Sequence, residues 1–214
     1  LITLGIIGIV AALTIPTLMN KSQKQQTVTA LKKSYSTFSQ VIERSSVDNG
    51  DMESWDFSLN TADFLDKYIV PYLSISKNCI GKTNDCWVTD TWLNGDGAYS
   101  PASGESFITS DGTGYLFYKG TYSGGKGFFD LVIDLNGFKK PNMSGKDVFN
   151  ARLIPEYNGR SATNIVFVGT GDSRSNLTST SNYGCNKKAS TAPGHVCGAL
   201  IQLDGWQIKD DYPW

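Results

Sequence analysis

The first nineteen residues of the chain, LITLGIIGIVAALTIPTLM, carry no charge. A run of about 20 apolar residues is the length that a single helix needs to cross a bilayer. Gly5, Gly8 and Pro16 interrupt the run, and both residue types weaken a helix that stands alone in water. We therefore expect residues 1–19 to form a helix buried in lipid or among other helices, outside the chain's own globular core.

The same helix is predicted to continue past the apolar run, because the next residues contain no turn signal. Apolar side chains recur there at spacings of three and four, the period of one helix face, at Val28, Leu31, Tyr35, Phe38 and Ile42. The helix is expected to reach about Ser45, and at 1.5 Å per residue it would be roughly 65–70 Å long. The chain then divides into an apolar half of the helix (1–19), an amphipathic half (20–46) and a head (47–214).

Composition limits the classes of protein to which the chain can belong. Lysine and arginine together number 19 and acidic residues 20, so no overall basic surface is available and nucleic acid is not a predicted partner. Only 18% of the residues are charged while glycine is abundant, which is typical of exported β-rich proteins with long loops. The length after the apolar run suits one domain.

The four cysteines favour disulfides. Two local loops, Cys79 with Cys86 and Cys185 with Cys197, are the simplest of the three pairings that four cysteines permit. A zinc site is the alternative, but neither spacing is the tight pair that zinc sites usually contain, and the chain has a single histidine, His195. Disulfides persist outside the reducing cytosol, so the cysteines indicate an extracytoplasmic head.

The head is predicted to contain a short helix and an antiparallel sheet. Residues 60–73 suit the helix, with Asn60 or Thr61 as N-cap and Pro71 near the end. Strand-like segments flank turns at Asp111-Gly112 and Asn136-Gly137, and two more strands are expected at 149–154 and 165–168. Residues 169–184 suit an exposed loop, and the segment after Ala199 suits a strand or a helix stopped by Gly205. The fold class is thus α+β.

Catalytic motifs are scarce. No GxSxG sequence is present and His195, expected at the surface, has no obvious nucleophile nearby in sequence. Calcium is the only cofactor that the residues suggest, through the hard oxygen ligands of Asp134, Asn136 and Asp147, with Asp90, Asn94 and Asp96 as a second set. The alternative is that these residues make turns and accept hydrogen bonds from nearby backbone. We predict no enzyme activity.

The order of residues from Gly8 to Pro16, followed by an uninterrupted amphipathic helix, resembles the amino-terminal segment of type IV pilins and type II secretion pseudopilins. Segments 134–147 and 199–214 also resemble a bacterial pilin-like subgroup. The resemblance implies a long helix packed on an antiparallel β-sheet head. It also implies a structural subunit that forms a helical filament with copies of itself and other pilins or pseudopilins.

The resemblance further implies how such a subunit is made. It would stand as a single-pass protein in the bacterial inner membrane and then enter a periplasmic or cell-surface filament. A prepilin peptidase would cleave a leader and methylate the new end. The leader, the cleavage site and an acidic residue that the family carries near its mature terminus would all precede Leu1.

In such a filament the apolar half would act as membrane anchor and filament core. Gly8 and Ala12 have the small-xxx-small spacing that allows close helix contact, and Gly5 adds another small residue. Pro16 removes one backbone donor and is expected to kink the helix or unwind it locally around residues 12–16. In other membrane helices, glycine and proline are tolerated without any such role.

One feature opposes this orientation. Lys21, Lys24, Lys32 and Lys33 follow the apolar run, and the positive-inside rule would place them in the cytoplasm. The cysteines indicate the reverse. Two alternatives to a filament subunit remain open: a membrane-anchored extracytoplasmic binding module that does not polymerise, and a secreted enzyme with an uncleaved signal.

Overall fold

A computed structural model of the chain describes residues 2–82, 85–99, 104–121, 127–157 and 159–214. Side chains are described throughout these ranges except at residues 2–13, 98, 99, 121 and 160. The helices are α1 (Ile2–Asn49), α2 (Thr61–Tyr68), α3 (Arg174–Leu177) and α4 (Cys197–Leu203). The strands are β1 (Ile75–Asn78), β2 (Asp90–Thr91), β3 (Ala98–Tyr99), β4 (Glu105–Thr109), β5 (Gly114–Thr121), β6 (Gly127–Asp134), β7 (Val148–Leu153), β8 (Glu156–Tyr157), β9 (Arg160–Ser161) and β10 (Val166–Phe167).

Helix α1 is continuous through Pro16 and ends one turn beyond the predicted Ser45. Its amphipathic half packs on the head through the predicted face, on which Val28, Leu31, Phe38 and Ile42 are buried and Tyr35 is half-buried. The spacing of apolar residues thus identified both the element and its buried face. Ser34, Val41 and Ser45 are buried as well.

The sheet is antiparallel and has six strands in the order β1-β4-β5-β6-β7-β10. The α+β class is therefore confirmed. The β4–β5 hairpin turns at Asp111-Gly112. Gly112 has a backbone φ of +87°, a value that residues other than glycine rarely adopt. Two short two-stranded sheets, β2–β3 and β8–β9, lie outside the main one.

The two faces of the sheet bury different side chains because successive residues in a strand point to opposite sides. Phe107, Tyr115, Phe117 and Leu131 belong to the same core as helix α1. Leu116, Val132 and Val148 form a separate small cluster, against which Trp87 and Tyr118 pack. The helix-facing core is the larger, so docking of α1 is central to the stability of the head.

Two predicted segments differ in detail from the structure, and a third adopts one of its two predicted alternatives. The helix at 60–73 ends at Tyr68 and a short 3-10 turn, Val70–Tyr72, follows, because Pro71 has no N–H with which to continue the α-helical hydrogen bonds. The Asn60 cap is confirmed, with its side chain accepting a hydrogen bond from the Asp63 backbone at 2.9 Å. The loop at 169–184 contains α3, whose Leu177 is buried in the core. The segment after Ala199 is helical and ends before Gly205.

Among the residues that the structure describes, no helix is both long enough and apolar enough to span a membrane. In α1 the described side chains begin at Thr14.

Candidate functional site

The part of the apolar half whose side chains the structure describes, residues 14–19, is exposed. Ile15, Leu18 and Met19 have exposed fractions of 53%, 69% and 57%, and every side chain from Thr14 to Asn20 is exposed. Pro16 lies in this part of α1 and the helix continues through it. Gly5, Gly8 and Ala12 lie where the structure describes the backbone of α1 but not the side chains. The head therefore leaves residues 14–20 uncovered.

The amphipathic half is attached to the head by polar contacts as well as by burial. Thr27 Oγ1 donates to the Lys146 carbonyl at 3.2 Å, and the Lys33 ammonium lies 2.7 Å from the Asp111 carboxylate in the β4–β5 turn. The Tyr115 hydroxyl donates to Ser34 Oγ at 3.2 Å inside the core. These contacts fix the rotation of the helix on the sheet.

Both disulfides join the cysteines that the sequence spacing favoured. Cys79 is bonded to Cys86 and Cys185 to Cys197. The first pins the segment that leaves edge strand β1, and the second ties a long surface segment to the first residue of α4. Cysteine is thus not available as a zinc ligand at either place.

Three carboxylates are buried where β6, the following loop and β2 meet. Asp90, Asp134 and Asp147 are 1%, 3% and 5% exposed, and we call them the carboxylate cluster. Asn136, the third residue of the predicted calcium set, lies with them, since its Nδ2 donates to Asp147 Oδ2 at 3.1 Å. The structure therefore brings the predicted set together and adds Asp90. Asn94 and Asp96 are exposed and contact each other instead.

Backbone pairing brings Asp90 to the loop that holds Asp147. The Thr91 backbone N–H donates to the Asn142 carbonyl at 2.8 Å, and the Ser144 N–H donates to the Thr91 carbonyl at 2.9 Å. Asp147 in turn accepts hydrogen bonds from the backbone N–H groups of Asn142 and Met143, at 2.9 and 2.7 Å. Asp90 and Asp147, which are 57 positions apart in sequence, are in this way held at one place, and their spacing in sequence could not reveal this.

The surroundings of the cluster disfavour negative charge. Burial raises the pKa of Asp90 to about 7 and that of Asp134 to about 8, and the charge of Asp147 adds to both shifts. Burial also raises the pKa of Asp147, although its backbone hydrogen bonds oppose the shift. In the described part of the chain, no lysine or arginine forms an ion pair with any of the three.

Several buried polar atoms beside the cluster lack a hydrogen-bond partner. Most such side-chain atoms in the described residues belong to four residues of this region: both carboxylate oxygens of Asp90, the amide oxygens of Asn136 and Asn142, and the Ser144 hydroxyl. An unpaired buried polar atom costs on the order of 1–3 kcal/mol. Their concentration at one place therefore needs a physical explanation.

The carboxylate cluster is not a ready-made set of metal ligands. Within the ranges that the structure describes, no three histidine, cysteine, aspartate or glutamate side chains are arranged to hold a metal ion. Any cation bound here would need neutral oxygens from amide, hydroxyl or carbonyl groups to complete its ligands.

The C-terminal tail docks next to the same loop. Tyr212 is 5% exposed, and its hydroxyl donates to the Gly145 carbonyl at 2.5 Å. Arg174 holds the tail from the other side by pairing with both Asp204 and Asp211, at 2.8 and 2.7 Å. The aromatic terminus therefore covers the loop.

His195 is half-buried and not the surface residue that its sequence position suggested. Burial lowers its pKa to about 4, and the charge of Arg152 acts in the same direction. The ring lies near Trp92 and Tyr183, with centroids 6.3 and 5.5 Å away. It is therefore a neutral packing residue at ordinary pH.

The chain matches a known protein family over most of its length. One family model matches residues 17–214, which include the amphipathic half of α1, the carboxylate cluster and the tail. The chain belongs to DUF6613, a family of unknown function. No curated protein and no solved structure matches the chain. Membership of DUF6613 does not assign an activity, so function has to be argued from the residues of this chain.

Proposed function

We propose that this chain is a non-enzymatic structural subunit of a type IV pilus or a type II secretion pseudopilus, polymerising through the apolar half of α1. The observation that carries the proposal is the contrast along one helix. Val28, Leu31, Phe38 and Ile42 are buried in the head, whereas Ile15, Leu18 and Met19 are exposed. The residues that precede them in sequence carry no charge.

Exposed aliphatic side chains that lie close together on a helix indicate an interaction surface, because large apolar patches are rare on soluble monomers. In this proposal the partner is lipid before assembly and copies of the same helix afterwards. The subunit stands in the bacterial inner membrane, is cleaved and methylated by a prepilin peptidase, and then enters a periplasmic or surface filament. Gly5, Gly8 and Ala12 allow helices to approach closely, and Pro16 adapts the helix to its neighbours.

The alternative is a membrane-anchored module that binds a ligand through its head and never polymerises. A cleft of about 540 Å³ between α1 and the loop that contains Asn136 and Asp147 favours it, because ligand sites are usually concave. The two functions differ in whether the apolar half contacts other copies of the chain.

A pair of matched substitutions tests the proposal in cells that express the natural full-length protein. Leu18→Asp and Val47→Asp each place a charge at an exposed aliphatic position of α1, 69% and 84% exposed, so neither disturbs the folded head. Sheared surface material and periplasm are examined by electron microscopy with antibodies against the head. We expect labelled filaments from the wild type and Val47→Asp, and none from Leu18→Asp.

The outcomes separate the two functions. A wild-type strain whose membranes contain the protein but whose fractions contain no labelled filament supports the anchored module. Normal filaments with Leu18→Asp, or loss of filaments with Val47→Asp alone, would contradict assembly through the apolar half.

A further inference from the structure

Two clefts lie beside α1 close to the end of the apolar run. The first, of about 690 Å³, separates α1 from the C-terminal tail, and the second, of about 540 Å³, separates α1 from the loop of residues 135–147. Each is lined by two lysines and one tryptophan: Lys21, Lys24 and Trp206 in the first, and Lys140, Lys146 and Trp214 in the second. The α1 residues that line the clefts begin at Thr17 and Gln23, within about one helical turn of Met19. Whatever surrounds the end of the apolar run is therefore next to both clefts.

The four lysines of the clefts are available to an external anion. In the part of the chain that the structure describes, none of them forms an ion pair with a carboxylate, and two of them are exposed and two half-buried. One carboxylate lines each cleft as well. Asp210 in the first is exposed, whereas Asp147 in the second accepts hydrogen bonds from backbone N–H groups. Each cleft therefore keeps a net positive charge.

Charge is segregated along α1 in the same sense. All four charged residues before Glu43 are lysines. Residues 43–66, by contrast, contain seven acidic residues and one arginine, and we call them the acidic segment. A negatively charged surface attracts the lysine-bearing end and repels the acidic segment. Such a surface would therefore orient the head with its two clefts toward it.

The two tryptophans are placed as aromatic residues are at a membrane surface. The Trp206 ring packs on Tyr35, with centroids 5.4 Å apart, and Trp214 lies 6.4 Å from Tyr212, yet both tryptophans are only half-buried. Trp206 has a backbone φ of +62°, which bulky residues rarely adopt, and such unfavourable conformations are concentrated at functional sites. Tryptophan is enriched at the level of lipid headgroups, because its ring is apolar and its N–H is polar.

From these observations we propose that the two clefts dock the head on the surface of a membrane that contains anionic phospholipid. The lysine ammonium groups bind lipid phosphates, and Trp206 and Trp214 lie at the headgroup level. The inference rests on anchoring of the apolar half in lipid, which the proposed function and its alternative share. A lipid surface accounts for the position beside the apolar run and for the tryptophans, whereas a free phosphate ion requires neither.

Docking also gives a role to the lysines that follow the apolar run. The positive-inside rule disfavours them on the extracytoplasmic side of a membrane, where the disulfides place the head. Contacts with lipid phosphates would compensate for that position. In a filament subunit these contacts hold the head against the membrane before assembly and are released when the subunit leaves lipid.

The experiment uses the full chain reconstituted into vesicles of phosphatidylcholine alone or of equal parts phosphatidylcholine and phosphatidylglycerol. Gln207→Cys, at an exposed position that lines the first cleft, carries a bimane fluorophore, and a nitroxide on the lipid headgroups quenches it on contact with the surface. The native cysteines are in disulfides, so the label reacts at position 207. We expect quenching to be at least about threefold stronger with phosphatidylglycerol and to fall to the phosphatidylcholine level in about 1 M salt, which screens charges beyond about 3 Å.

A pair of double variants tests the lysines. Lys21→Gln with Lys140→Gln removes one lysine from each cleft, and Lys67→Gln with Lys82→Gln is the matched control. All four positions are exposed and both variants lose two positive charges. The first should lose most of the quenching that depends on phosphatidylglycerol, and the second should retain it. A bimane at Asp66→Cys, in the acidic segment, should stay unquenched in both kinds of vesicle.

Flotation of the vesicles separates this inference from the proposed function. A chain that does not float with phosphatidylcholine vesicles has no anchor in lipid, and both proposals are then wrong. Four results contradict docking alone in a chain that does float: equal quenching in the two lipids, quenching that persists in high salt, quenching that survives the loss of Lys21 and Lys140, or equal quenching at positions 66 and 207. Filament assembly is then still decided by Leu18→Asp, so the two proposals fail separately.

Discussion

The two halves of helix α1 belong to one continuous element but meet different surroundings. In the amphipathic half, Leu31 and Phe38 are fully buried against the sheet. In the described end of the apolar half, Leu18 and Met19 are mostly exposed. Residues of similar hydrophobicity are thus a core in one half and a free surface in the other. Apolar content alone does not define a core; what packs against it does.

The largest expected effect concerns Phe38, which contacts the rings of Tyr115 and Phe117. Replacement of a fully buried phenylalanine by alanine removes transfer free energy and leaves a cavity, at a cost of about 3–5 kcal/mol. Leu18→Ala should change the free energy of unfolding by less than about 0.5 kcal/mol. Denaturant titration of the detergent-solubilised chain measures both. Equal losses in the free energy of unfolding would contradict the difference in burial between the two halves.

The sequence predicted this distinction well, because the period of Val28, Leu31, Phe38 and Ile42 reports directly which face is buried. Local turn chemistry likewise located the Asp111-Gly112 hairpin and the Asn60 cap. Asp90 could not be joined to Asp134 and Asp147 in the same way, since a backbone contact between β2 and a distant loop creates that proximity. The half-burial of His195 also depends on tertiary contacts, and a lone histidine has no period to reveal them.

A smaller effect is expected from the polar contact between Tyr115 and Ser34. Tyr115→Phe keeps the ring in place but removes the hydrogen bond to the helix and leaves the buried Ser34 hydroxyl without it. We expect a loss of about 0.5–1.5 kcal/mol in the free energy of unfolding. Tyr183→Phe, at a tyrosine that is 46% exposed, is the matched control and should be nearly neutral. Equal effects would mean that this contact does not help to hold the amphipathic half.

The smallest effect concerns the ion pair of Lys33 with Asp111. Burial would raise the pKa of Asp111, but hydrogen bonds from Lys33 and Thr109 outweigh it and lower the pKa to about 2. Because the folded-state pKa lies below the unfolded value, the pair contributes stability above about pH 4 that is lost as pH falls toward 2. Lys33 is 61% exposed, so the contribution is small, below about 1 kcal/mol.

Denaturant titrations of wild type and Asp111→Asn between pH 6 and pH 2 measure this contribution. The stability difference between the two proteins should be largest at the upper end and shrink on acidification. A difference that stays constant with pH would assign the effect of the substitution to packing or hydrogen bonding rather than charge.

The central claim is that the apolar half is buried against other copies of the chain after assembly. All four native cysteines are in disulfides, so a cysteine introduced by Leu18→Cys provides a single free thiol. Its reaction with a membrane-impermeant maleimide is compared between isolated filaments and detergent-solubilised subunits, with Asp66→Cys on the exposed face of α2 as the control. We predict that position 18 is protected in filaments and reactive in solubilised subunits, while position 66 reacts in both. Equal reactivity of position 18 in the two samples would contradict the account.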